Sequence, residues 1–278
     1  MRRKVRMSLI GVVGIVILVP AFLSHVFAEH PSVDSVSGVQ VEIARIMGSQ
    51  PVSRVGVKDT AGRLLDLLGT YSSPEDKGRI YYQAALAYAF GGPAFADQAI
   101  QLARTALEYP QGLHQRAELN FLLGDSIAAA ERGKSTRDEI RRRESLEFYL
   151  TALSTYVSMQ RPISLEDRRK TGRIERYPPG MTEAEKEESN RTQLALIRAI
   201  REQEDLGRKR HNVIEQTADL LADAPDPEAE IRRSAEGILE DEAAIAETIH
   251  LTKAVATQPG LARAGLRQWA AQTQPVKQ

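Results

Sequence analysis

Apolar residues return at steps of three and four along most of this chain, and the runs they form end at Gly or Pro. Ala61, Leu64, Leu65 and Leu68 make the first clear stripe, and Gly69 closes it. Ser73-Pro74-Glu75-Asp76 then reads as a helix start, with Ser as N-cap, Pro in the first position and acids in the first turn. Positions 79–110 read as two short amphipathic helices parted by Gly91-Gly92-Pro93 and closed by Pro110. A looser pair follows, through Leu119, Leu122, Leu123-Gly124 and Ile127, then Ser145, Tyr149 and Ala152-Leu153 to Pro162. An Arg-rich insertion, residues 131–143, separates its two halves.

The sharpest periodicity lies further on. Thr182 with Glu185 forms a capping box that opens a long helix reaching about Leu221. After Ala224-Pro225-Asp226-Pro227 a second helix is predicted to run unbroken to about Thr257. Ile200, Gln203, Gly207, Arg210, Ile214, Thr217, Leu221 and Ala224 alternate steps of three and four, as do Ile231, Ala235, Ile238, Glu242, Ile245, Ile249, Thr252 and Ala256. That alternation predicts an antiparallel coiled-coil-like hairpin over 182–258. Its register sets Arg210 opposite Glu242 as a structural pair, with Gly207 allowing close backbone approach. Pro259-Gly260 breaks the pattern before a short helix carrying Trp269. The expectation is an all-α protein.

Small residues at Ala85, Ala99, Ala103 and Ala106, an aromatic at Tyr88 and the closing Pro110 resemble the tetratricopeptide repeat family, in which paired helices nest through small side chains. Ala103, where the family carries a bulky residue, and the extra turn residues at Gly91-Gly92-Pro93 depart from its pattern. The resemblance implies a short helical-hairpin array over 59–162 that binds protein partners in a groove set by the first helix of each pair. Tyr82, Tyr88, Arg116 and Asn120 are the expected exposed groove residues. Arg141 in the insertion, and Arg168 and Arg169 in a basic, Pro-containing loop over 163–181, form local basic patches suited to an acidic partner or anionic lipid. The bland reading of the insertion is helical pairing with Asp138, Glu139 and Glu144.

The first 28 residues read as an export leader. Arg2, Arg3, Lys4 and Arg6 precede an apolar run, and Val26-Phe27-Ala28 fits a signal-peptidase site. An uncleaved membrane anchor is the rival reading. Both place the body of the protein beyond the inner membrane, periplasmic or anchored and facing the periplasm. Residues 29–58 read as a tether with one short candidate helix at 39–47. Removing the leader's four basic residues from the chain's 37 leaves 33 against 37 acidic ones, a balance that gives no reason to expect nucleic acid. The chain has no Cys, so disulfides, lipidation at a lipobox, covalent c-type haem and thiol catalysis are all excluded.

Catalytic motifs fail on inspection. Gly133-Lys134-Ser135 lacks the leading Gly of a phosphate loop, since position 128 is Ala128. Gly124-Asp125-Ser126 lies within a helix, not on a strand-to-helix elbow. Glu247 and His250 make a single E-x-x-H where di-iron bundles use two. His114, His211 and His250 read as surface or helix-end residues. No cofactor, metal or catalytic residue is expected. The expected function is a non-catalytic adaptor or assembly factor for envelope proteins. The alternatives are a glycan-acting envelope enzyme with a raised cleft carboxyl, or a structural protein that self-associates.

Overall fold

The computed structural model describes residues 38–49, 56–131, 138–161, 164 and 180–257. The protein is all-α, with no strand among the described residues. Among these residues no helix is long and apolar enough to cross a membrane. The leader, the phosphate-loop-like Gly133-Lys134-Ser135, Arg168, Arg169 and Trp269 all lie outside the described residues. The chain divides into two compact units, one ending at Gln111 and the other beginning at Gly112.

The first unit contains α1 (Gly38–Ser49), α2 (Val57–Asp66), α3 (Pro74–Phe90) and α4 (Ala96–Leu107), with single 3-10 turns after α2 and before α4. Ser73 caps α3 as its sequence implies: its Oγ accepts from the Asp76 N–H at 3.1 Å, and Pro74 occupies the first turn. Gly91 closes α3, and a Cβ there would come within 2.4 Å of the Phe95 ring. Gly92 turns the chain at φ 77°. Ala85, Ala99, Ala103 and Ala106 are fully buried. α1 falls within the stretch expected to be a tether, at the candidate helix. Val39, Ile43, Ile46 and Met47 recur at helical spacing and enter the core with Ala61, Leu64, Ile80 and Ala84.

The second unit contains α5 (Leu113–Glu131), α6 (Glu139–Met159), α7 (Glu183–Leu220), α8 (Pro227–Ala235) and α9 (Glu242–Thr257). α5 and α6 pack closely at Gly124. A Cβ on that residue would lie 2.6 Å from the Tyr149 ring, Ser145 Oγ donates to the Gly124 carbonyl at 2.8 Å, and the Tyr149 hydroxyl donates to Asp125 at 2.7 Å. The core continues through Leu146, Leu150, Leu153 and Tyr156 of α6 to Leu206, Val213 and Ile214 of α7, and on to Ile231 of α8 and Ile245 of α9. The capping box at the start of α7 forms in full: Thr182 Oγ1 accepts from the Glu185 N–H, and the Glu185 carboxylate accepts from Thr182 N–H and Oγ1, both at 2.8 Å. Those bonds, the backbone one foremost, hold the Glu185 carboxyl below its ordinary range.

The expected unbroken helix over 227–257 is corrected. α8 ends at Ala235, Gly237 adopts φ 75°, and Asp241 starts α9 by accepting from the Ala244 N–H at 2.8 Å. A left-handed Gly followed four residues later by an Asp cap is a stop and a start in succession. The break adds chain between the limbs and changes their phase. Arg210 therefore meets Glu247 of α9, and Glu242 lies near Arg232 at 3.7 Å. The expected Arg210–Glu242 pair does not form. Gly207 is corrected as well: a Cβ there would meet nothing nearer than Gln160 Nε2 at 3.7 Å, so no close backbone approach requires it.

Candidate functional site

Of the five described residues expected to bind partners, the structure leaves one exposed. Arg116 points to solvent. Tyr82 is 9% exposed and Asn120 6%, so neither is the exposed groove residue it was expected to be. Their helix positions explain this. Tyr82 stands three residues before the buried Ala85, and Asn120 three before the buried Leu123, so both share the inward face. Asn120 spends an amide N–H on its own helix, donating to the Arg116 carbonyl at 2.9 Å. Tyr88 is half-buried against the first unit's core, its ring 5.9 Å from that of Phe95. Arg141 lies 3.6 Å from the carboxylate of buried Glu131, and Arg142 reaches Glu230 of α8 as well as Glu139. The basic insertion is thus partly consumed by pairing within the unit. Arg168 and Arg169 are outside the described residues.

What the second unit offers instead is a cleft of about 490 Å³ where the end of α6 meets the middle of α7. Leu113, Met159, Leu196, Ile200 and Leu206 supply its apolar lining, with Arg161, Glu202 and Gln203 among its polar groups. Gln203 Oε1 accepts from the Arg161 backbone N–H at 2.6 Å, which ties the chain just past the end of α6 to α7. Leu113 is 64% exposed although it lines the cleft. Of the 38 residues of α7, the buried ones begin at Ile200. The stretch before it, with Leu194 52% exposed, contains no fully buried residue. Large apolar side chains left in water beside a concavity are the physical mark of a docking surface, because covering them releases about 25 cal/mol per Å².

Beside the cleft sits a polar network that joins α5 to α7. Lys209 Nζ lies 2.6 Å from Glu118 Oε1, 3.3 Å from Asp205 Oδ2 and 2.5 Å from His114 Nε2. The imidazole meets the Tyr156 ring edge-on at 6.3 Å. Burial by itself would push the Glu118 carboxyl up; the hydrogen bond with His114 and the Lys209 charge outweigh it and hold the group well below the usual carboxylate range. Burial pushes the Tyr156 phenol far up, helped by the Glu118 and Asp205 charges. His114 does stand at a helix end, as expected; Glu118 is its local partner four residues on, whereas Lys209 comes from 95 positions away and no local pattern announces it. Glu247, half of the lone E-x-x-H, is engaged by Arg210, and His250 is exposed. No group of three or more side chains suited to a metal ion occurs among the described residues.

No protein-family model matches this chain, and no characterised protein or solved structure is similar to it.

Proposed function

We propose that this protein is a non-catalytic adaptor of the bacterial envelope, exported by its leader, which holds a partner by taking an amphipathic helix into the cleft between α6 and α7. The observation that carries the reading is the exposed side chain of Leu113 at the cleft, with Leu196 of the lining only partly covered, beside a helix that buries no residue before Ile200. A partner helix would lay its apolar stripe on Leu113, Met159, Leu196 and Ile200 and set its polar flank against Arg161 and Glu202. The likeness of the first hairpins to tetratricopeptide repeats supports the same class of work.

The test is a photo-crosslinking residue placed at Leu196 in cells, with the same residue at Ile140 as the control, a position 80% exposed at the start of α6. A band formed from position 196, absent from 140 and lost on Leu113→Asp supports the reading. The same set of bands from both positions overturns it.

A further inference from the structure

His114 Nε2 stands between two groups with opposite requirements. Lys209 Nζ is 2.5 Å away and Glu118 Oε1 is 3.2 Å away. An ammonium only donates, so contact with Lys209 uses the nitrogen's lone pair. A carboxylate only accepts, so contact with Glu118 uses a proton on that same nitrogen. One nitrogen cannot serve both. Neutral imidazole with its proton on Nδ1 accepts from Lys209; the imidazolium donates to Glu118 and repels the ammonium.

Lys209 has another partner in reach. Its Nζ is already 3.3 Å from Asp205 Oδ2, and Asp205 accepts from Arg208 at 3.0 Å through its other oxygen. The charged and titratable groups facing His114 are therefore Glu118 on its own helix, Tyr156 on α6, and Asp205, Arg208 and Lys209 on α7. Histidine is the side chain type that changes charge between about pH 5 and 8. Both ends of the network adjoin the cleft: Leu113 precedes His114 and Leu206 follows Asp205, and both line it.

We propose that protonation of His114 passes its Nε2 from Lys209 to Glu118, turns Lys209 toward Asp205, and so makes the mouth of the cleft respond to acid. This inference rests on the cleft being the docking site and adds a regulation to it.

Long-range proton–nitrogen spectra of the histidine rings, taken on the full-length chain from pH 8 to pH 5 with the backbone amides followed in parallel, test it. At pH 8 His114 is expected as the Nδ1–H tautomer, and the Leu113 and Leu206 amides are expected to shift with the same midpoint as its ring. His114→Gln should abolish the titration of both amides. Should that variant fail to fold, the wild-type spectra decide alone. An Nε2–H tautomer at pH 8, or amides indifferent to the ring's titration, overturns the switch. No partner enters this measurement, so a failed switch leaves the crosslinking result standing, and a failed capture leaves the spectra standing.

Discussion

Arg142 Nη2 donates to Glu230 Oε1 at 2.8 Å, with both side chains partly buried, and so ties the start of α6 to α8 across 88 residues of sequence. Partial burial shields the pair from the solvent screening that makes fully exposed pairs nearly worthless. Arg142→Ala is expected to cost about 1.5–3 kcal/mol in chemical denaturation, the range for a hydrogen bond to a charged group. A double-mutant cycle with Glu230→Gln should return most of that loss as coupling energy. Independent, additive losses would show that the contact contributes nothing.

Two glycines in helices of the second unit are expected to respond in opposite directions to the same substitution. Gly124→Ala places a methyl 2.6 Å from the Tyr149 ring, whose hydroxyl and position are held by Asp125. Overpacking of this kind costs about 1–3 kcal/mol. Gly207→Ala meets nothing closer than 3.7 Å, at the flexible end of Gln160, and gains up to about 1 kcal/mol of helix propensity. Thermal unfolding of the two variants side by side checks both signs.

The all-α class was legible because amphipathic stripes, caps and breakers agree with one another over most of the chain. Ser73 and Thr182 both cap as their sequence contexts imply. The long hairpin departs from its expected form because the unbroken step pattern hides the local punctuation. Gly237 and Asp241 carried the stop and the start, but Ile238 kept the rhythm across them. The site was barely legible. A cleft made by Leu113, Met159 and Leu196 joins residues far apart in the chain, and each of the three reads by itself as ordinary helix. Residue type alone makes Tyr82 and Asn120 look like binding residues, whereas their spacing from Ala85 and Leu123 places them inward.

That punctuation gives a further prediction. Gly237 holds φ 75°, a conformation that costs an L-residue roughly 1–2 kcal/mol. Gly237→Ala should destabilise the protein by about that amount, and Asp241→Ala by about 1 kcal/mol through loss of the α9 cap. If positions 227–257 instead formed one helix, Gly237→Ala would stabilise. The direction of the change in denaturation midpoint separates the two arrangements.

Glu118 makes stability depend on pH with a definite sign. Its folded-state carboxyl is held low by His114 and Lys209, against the upward push of burial, while in the unfolded chain it returns to about 4.3. A group depressed on folding contributes stability that is fully present above its unfolded value and fades as pH falls through and below it. Wild-type stability should therefore decline steadily as pH is lowered from about 5. Glu118→Gln gives up the contribution at neutral pH and has nothing to lose in acid, so its curve over the same range should be flatter and approach the wild type's. The side chain keeps 22% exposure, which lets water screen part of the effect. Parallel curves for the two proteins between pH 5 and pH 2 would mean that the ammonium of Lys209 does not hold this carboxylate in solution.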